Sequence, residues 1–513
     1  ETLLEELRFD QNPRLEMPSQ LLMYLGGSGG TGKTRIILAI RCLFAAFNKA
    51  TWLVTAAVVG TAAAAIGGST IASLTGTGTS KYVADAEDDS RDERKASRNA
   101  SPLLAAAKFV ILDEVSTLGQ SGLALQDAQM RKNRGSQTDN AFGGVHVLFV
   151  GDFRQLPPVG DRPLYGDPIK LSKRLQALQG RFAWSQLQHA VLLTEQKRQS
   201  GDNKDARDFR DRLERLAEGK STRADFSFYN KRVIDLSSEA QELAKTARFR
   251  LAPIIVSRNL VRTVICNDFL QSFGRCTGQR MYVSVARDLR TTRSQGRMKP
   301  GPRQRYNLLR KTDGPASSHA GYVLLVEGMQ VVLKHNICTP ARLTNGARGT
   351  LLKLQLDEHE DVEAIDDSPR DQPYFLHRQP VCAYVYFPES TIELPHLPPK
   401  VVPVYPMEKS FQHKTTVRVK GVAKALQSRS YVRKQLPLLS AKALTRYAVQ
   451  GMTLDCGIID LSVKSFVTKQ PKGKRESSEH PAQAYVPLSR FKRANDFLIL
   501  REAIQRKPPE QLA

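Results

Sequence analysis

The six cysteines of this chain, Cys42, Cys266, Cys276, Cys338, Cys382 and Cys456, include no C-x-x-C pair, and its nine histidines show neither H-E-x-x-H nor finger spacing. Neither a zinc site nor a disulfide framework is expected from such a set. Long hydrophobic runs are missing as well. The longest apolar stretch, Thr55 to Ile66, is built of small residues and falls short of the ~20 needed to span a bilayer. Acidic residues are outnumbered: 51 Asp+Glu stand against 76 Lys+Arg, a net charge of +25 over 513 residues. With 41% apolar and 25% charged residues the composition is globular, which excludes bulk disorder. The length accommodates three or four domains at roughly 100–200 residues each. The surplus of positive charge points to a polyanionic partner. Nucleic acid ranks ahead of a membrane because no basic amphipathic helix stands out. The expected compartment is reducing and non-membrane. The chain opens on Glu1 without an apolar signal segment, so the expectation is a fragment without its own targeting information.

What is present begins with alternation. Apolar runs at Leu21 to Leu25, Trp52 to Ala56, Phe109 to Leu112 and Val145 to Val150 are interleaved with helical patterns such as Lys33 to Phe47. That order predicts an α/β fold with a parallel sheet. Ala84 to Arg94, with six acids in eleven residues, lies in a polar segment from Thr75 to Ala100 that reads as a small insertion. Arg280 to Lys311 carries ten Lys/Arg and one acid, Asp288, and reads as a solvated loop or a nucleic-acid contact. Tyr322 to Leu354 and Val381 to Val419, split by the acidic Asp357 to Asp371, predict the short strands of a small barrel. From Ala441 to Leu500 the pattern returns to α/β, broken by the Lys-rich loop Lys464 to Lys474.

Gly26 to Thr34 follows the first predicted strand, opens a helix and satisfies three patterns. As G-x-S-x-G it would be a nucleophile elbow with Ser28 attacking. As G-x-G-x-x-G it would hold a dinucleotide, but that needs an acid about 20 residues on. No Asp or Glu occurs between Thr34 and Asp85. As G-x-x-x-x-G-K-[ST], spanning Gly27, Ser28, Gly29, Gly30, Thr31, Gly32, Lys33 and Thr34, it is a phosphate loop. Its glycines let backbone N–H groups approach phosphate oxygens, Lys33 neutralises β/γ charge and Thr34 holds Mg²⁺. Only this pattern accounts for Lys33 and Thr34. The plainer reading is a Gly-rich turn with an incidental lysine, and a second site in register argues against it. The strand Phe109 to Leu112 delivers Asp113 and Glu114 at its C-terminal edge. Asp113 is placed to complete the Mg²⁺ shell through water, and Glu114 to accept the proton of an attacking water.

The next apolar strand ends in Gly151-Asp152-Phe153-Arg154-Gln155-Leu156-Pro157-Pro158-Val159. At this point the chain resembles the superfamily-one DNA helicases of the petite-integration-frequency (PIF) type, including relatives carried by Helitron transposons. Asp113-Glu114-Val115-Ser116 resembles their second nucleotide motif, and the Gly-Asp-Phe-x-Gln-Leu-Pro-Pro stretch the third, in which Gln155 would sense the γ-phosphate. Leu193 to Gln199 resembles the fourth, with Arg198 toward the γ-phosphate. Gly328 to Leu333 and Asn345 to Gly349 resemble the entry to an inserted SH3-like barrel, and Thr445 to Thr453 the fifth motif. Tyr485 to Arg490 resembles the sixth, with Arg490 as a second arginine finger. The resemblance implies two RecA-like P-loop lobes with parallel sheets, the second interrupted by the barrel. The expected boundaries are 1–190 for the first lobe, 191–345 and 440–513 for the second, and 346–439 for the barrel. It also implies ATP and Mg²⁺ as cofactors, 5′ to 3′ travel on single-stranded DNA and action on tailed or forked duplexes. A role in repair, recombination or telomere maintenance follows, in the nucleus with the mitochondrion as second compartment.

Some positions depart from that pattern. Ala57-Val58-Val59-Gly60 lacks the usual Pro-Thr-Gly, Ala72 replaces a His, and Tyr447-Ala448 stand where His-Lys is usual. In the resembling family these positions face DNA, which keeps a decayed, transposon-derived DNA-binding ATPase without efficient unwinding as the alternative. The adenine-reading Gln motif is not evident around Gln11 or Gln20. His413 to Leu454 carries nine Lys/Arg and no acid, which fits a phosphate-tracking groove lined by residues such as Lys414, Arg418, Lys420 and Arg433.

Overall fold

The computed structural model describes residues 1–75, 102–133, 140–166, 175–199, 201, 203–292, 296–311, 319–419, 422–461 and 481–501. The segments 84–94 and 464–474 and residue Lys420 lie outside them, as do the side chains of Lys414 and Arg418. The chain forms two compact units. The first comprises Glu1–Phe226, Gln450–Leu454 and Arg475–Ala494, and the second Ser227–Val449, Asp455–Lys474 and Asn495–Ala513.

The first unit is built on six parallel strands: β1 (Leu22–Gly27), β2 (Leu53–Ala57), β3 (Ser69–Thr70), β4 (Phe109–Asp113), β5 (His146–Gly151) and β6 (His189–Leu193). Their order is β3-β2-β4-β5-β1-β6. The central strands read as continuous apolar runs because both faces are covered. One face packs Leu22, Val54, Leu112, Val147 and Phe149, the other Leu25, Ile37, Ile111 and Val150. Each such side chain contributes about 1.5–3 kcal/mol on burial. The register pairs Gly26 with Gly151, Leu112 with Phe149 and Gly27 with Leu193. The C-terminal ends of β1, β4, β5 and β6 therefore share one edge, with β5 between the phosphate-loop strand and the carboxylate strand. β6 spans the expected boundary at 190, and the segment to Phe226 stays in the first unit.

The opposite edge carries the N-terminal helix Thr2–Gln11. His146 accepts the Leu21 N–H at Nδ1 (2.9 Å), so its proton sits on Nε2 and is donated to Glu6 Oε1 (2.9 Å). Lys108 donates to Glu6 Oε2 (2.8 Å). Gln20 donates to the carbonyls of Ala141 and Val145 at this same edge, away from the phosphate loop.

The second unit contains a parallel sheet ordered Ala443–Thr445, Ile254–Val256, Gly457–Ile459, Phe497–Ile499. The chain between its first two strands in sequence, Ile254–Val256 and Ala443–Thr445, forms an antiparallel five-stranded sheet ordered Val401–Val404, Cys382–Tyr386, Arg348–Gln355, Gln330–Leu333, Leu438–Ser440. This sheet starts ahead of the 346–439 expected for the barrel, because Gln330–Leu333 pairs with both Arg348–Gln355 and Leu438–Ser440. Its core joins Val331, Leu333, Leu351, Val385 and Leu438.

Arg280 to Lys311 is not a loop. It supplies the strands Met281–Val285, Arg287–Thr292 and Gly296–Met298 and the helix Pro302–Leu309. Arg287–Thr292 pairs with Val422–Gln435, which pairs in turn with Met407–Val419. Leu308 buries against Phe411 and Tyr431. Arg433 is a second correction, being fully buried instead of lining a groove. It donates to both oxygens of Asp288 (2.7 and 2.8 Å) and to the carbonyls of Leu308 and His319. Pairing on the sheet overrides what charge density alone suggested.

Candidate nucleotide site

Gly30 (φ +101) and Gly32 (φ +95) hold left-handed backbone that only glycine adopts without strain, and they bend the chain from β1 into the helix Lys33–Ala46. Thr31 Oγ1 donates to the Ser28 carbonyl (3.0 Å). Lys33 Nζ folds back over the loop, donating to the carbonyls of Gly27 (2.6 Å) and Ser28 (3.0 Å). Thr34 stands exposed in the first helical turn.

At the end of β4 both carboxylates are buried. Asp113 Oδ1 accepts the Glu114 N–H (2.8 Å). Burial first, and then the neighbouring Glu114, push the Asp113 carboxyl up to about 7. Glu114 itself sits at φ +58, a conformation that costs a non-glycine residue about 1–3 kcal/mol and concentrates at functional sites. After β5, Gln155 Nε2 donates to Asp152 Oδ2 (3.1 Å), while its buried Oε1 has no partner among the described residues. Arg154 donates to Ser28 Oγ.

After β6 the chain lies along the loop. Gln196 donates to the Gly29 carbonyl (3.0 Å), and the N–H groups of Lys197 (2.9 Å) and Arg198 (3.2 Å) donate to the Gly30 carbonyl. The Arg198 guanidinium donates to the Ser489 carbonyl (2.9 Å). Ser489 and Arg490 follow the helix Ala482–Leu488. Arg490 is fixed by the Val486 carbonyl (2.9 Å) and by Ser489 Oγ (2.6 Å). The helix Lys204–Ala217 packs Phe209, Leu213 and Ala217, four residues apart, into the unit. A cavity of about 200 Å³ opens beside Ser28, walled in part by Arg154, Gln196, Arg210, Leu213 and Tyr485.

The predicted residues converge on Gly29. A Cβ there would lie 2.7 Å from Arg490 Nη2, 3.4 Å from Arg198 Nη1 and 3.5 Å from Gln155 Nε2. Burial lowers the pKa of Lys33, Arg198 and Arg490 alike, with Arg198 at about 10, where Arg490 adds to the effect. Among the described residues none of these three cations forms an ion pair with a carboxylate; their side chains donate to carbonyls and to Ser489 Oγ. Cations left in this state, Arg490 buried and Lys33 and Arg198 half-buried, suit an anion at a loop of N–H groups, so the donor set fits a polyphosphate. Asp113 beside it offers a hard oxygen of the kind Mg²⁺ takes, and Thr34 lies on the helix that the loop opens.

Reasoning from sequence missed Gln450, Arg154, Gln196, Tyr485 and Ser489. Gln450 Nε2 donates to Glu114 Oε2 (3.0 Å), and Tyr485 hydrogen-bonds the Gly29 backbone. All five lie inside or beside the quoted motifs, but their pairings depend on rotamers that spacing does not encode. The expected cations Arg198 and Arg490 belong to the same compact unit as the phosphate loop. Ala72 lies in the short helix Ile71–Leu74, and Val58 N–H donates to the Asp113 carbonyl (3.3 Å).

The parallel sheet and its glycine loop define a P-loop nucleotide-binding fold of the RecA-like kind. Residues 15–226 match the family of PIF1-like helicases. The ATP-dependent DNA helicase PIF1 of Xenopus laevis is 25% identical over 378 residues, covering 69% of this chain and 50% of that protein. The ATP-dependent DNA helicase PIF1 of Saccharomyces cerevisiae is 34% identical over 200 residues, covering 38% of this chain and 21% of that protein. The chain thus aligns with half or less of these relatives' length. The crystal structure of the Pif1 helicase from Candida albicans shares the fold, with a TM-score of 0.59 at 21% identity over 99% of this chain and 98% of that one. No helix among the described residues is long and apolar enough to cross a membrane.

Proposed function

We propose that the chain is an ATP-dependent DNA helicase, coupling Mg-ATP hydrolysis to 5′ to 3′ travel on single-stranded DNA and to opening of tailed or forked duplexes. The observation that carries this reading is the meeting of Arg198, Arg490 and Gln155 at Gly29, next to Lys33 on the same loop. Lys33 neutralises β/γ charge, Glu114 takes the proton of the attacking water, Gln155 senses the γ-phosphate, and both arginines stabilise charge developing on the transferred group. Thr34 and Asp113 would hold Mg²⁺, which would supply positive charge against the phosphates. The two helicase relatives, both named as ATP-dependent DNA helicases, and the net charge of +25 support nucleic acid as the partner. Genome maintenance in the nucleus, or in the mitochondrion, follows from the same kinship.

The test is unwinding of duplexes that bear either a 5′ or a 3′ single-stranded tail, in the presence of ATP. Opening of the 5′-tailed duplex alone is expected. Preference for 3′ tails would overturn the polarity. With Ala72 and Tyr447-Ala448 in place of His and His-Lys, unwinding per ATP is expected to be poor. It should rise when Ala72→His, Tyr447→His and Ala448→Lys are combined, with little change in turnover.

A further inference from the structure

We propose that Gln450 is a positioning residue for the base Glu114, a proposal that rests on the ATPase reading above. Gln450 is buried, and its Nε2 donates to Glu114 Oε2 (3.0 Å) and toward Ser116 Oγ (3.4 Å). The amide has one sensible orientation, because an amide oxygen facing the carboxylate would be repelled. Among the described residues its own buried Oε1 has no partner, so the nitrogen's contacts hold the side chain. A buried orphan acceptor costs about 1–3 kcal/mol, and the charge-assisted bond to Glu114 offsets it. A Cβ on Gly451 (φ +78) would stand 3.5 Å from the other oxygen, Glu114 Oε1.

The chemistry gives that contact a task. The water oxygen bonds to the γ-phosphorus as the β–γ bridging bond breaks, ADP leaves with the electron pair, and the water proton passes to Glu114. A carboxylate free to rotate would spend time off that path. Gln450 holds one oxygen of Glu114 and leaves the other for water. It also sits four residues after Arg446, in the segment whose Tyr447-Ala448 depart from the usual pattern, so base orientation is tied covalently to that segment.

The test compares ATP hydrolysis by the full chain in five forms: parental, Gln450→Met, Gln450→Asn, Glu114→Asp and the Gln450→Met/Glu114→Asp double variant. Fluorescent-nucleotide binding of each confirms a folded site. Gln450→Met is expected to lower kcat about ten- to a hundredfold with KM for ATP within about twofold. In the Glu114→Asp background the same change should cost less than about twofold, because the shorter carboxylate has already left the amide's reach. Gln450→Asn keeps the amide one methylene short and should lose kcat as Gln450→Met does. Equal losses in both backgrounds, or a raised KM at unchanged kcat, would overturn the proposal. If Glu114→Asp is slow while Gln450→Met keeps the parental rate, only the role of Gln450 fails. If Glu114→Asp matches the parent, or the parent turns over no ATP, the underlying reading fails with it.

Discussion

Arg490 Nη2 lies 2.7 Å from the point where a side chain at Gly29 would begin. That spacing leaves no room for a methyl group, and the atom in the way belongs to the buried guanidinium that donates to Ser489 Oγ. Gly29→Ala should therefore displace the guanidinium from Ser489 Oγ, at a cost to stability of about 1–3 kcal/mol. A thermal melt and an ATPase assay on the same preparation check this: a modestly lowered melting temperature with turnover reduced at least tenfold is expected. Full turnover would show that Arg490 does not act where it points.

Lys33→Ala and Glu114→Gln should each lower ATP turnover by orders of magnitude, one through lost charge stabilisation and the other through the lost base. Glu114→Gln should still bind nucleotide. A parental rate in either variant contradicts the site.

Arg490→Ala should remove DNA-stimulated turnover more than nucleotide affinity, since its contact tightens as charge develops on the transferred phosphoryl group. Titration with a fluorescent nucleotide beside steady-state rates separates the two effects. A variant that keeps full DNA stimulation removes Arg490 from the mechanism.

How far the residue order alone reached is clearest at the sheet edge. Strand, loop and carboxylates were legible because a parallel sheet buried on both faces writes continuous apolar runs, and the chemistry sits immediately after each run. The convergence at Gly29 was legible only as separate motifs. Gln450 meeting Glu114 spans 336 positions of sequence and depends on a rotamer, so no local pattern reports it. Charge density misled where tertiary pairing wins: Arg433 looked like a phosphate contact and is the buried partner of Asp288. Substituting Asp288 by Ala should cost about 3–5 kcal/mol, because it strands a buried guanidinium. Chemical denaturation measures this, and a loss below about 1 kcal/mol would show the pair to be dispensable.

Asp225 offers a pH test of stability. Its buried carboxylate receives Arg215 through Nε (2.8 Å) and Nη2 (2.7 Å) and Arg212 (2.6 Å), and also accepts the Thr222 N–H. Bonding from Arg215 above all holds it far below the usual carboxylate range. A depressed folded value means this stabilisation is complete above the ordinary Asp range and is lost as pH falls toward the folded value. Asp225→Asn should therefore destabilise at neutral pH and flatten the acid dependence of unfolding. An unaltered acid limb would place that dependence on other groups.

Coupling of nucleotide to strand is the centre of this account, and ATP turnover with and without single-stranded DNA measures it most directly. Turnover is expected to rise severalfold or more on adding the strand, and that rise should shrink as salt screens phosphate contacts. Hydrolysis that ignores single-stranded DNA at every salt concentration would contradict a DNA motor and leave a nucleotide-hydrolysing enzyme of another kind.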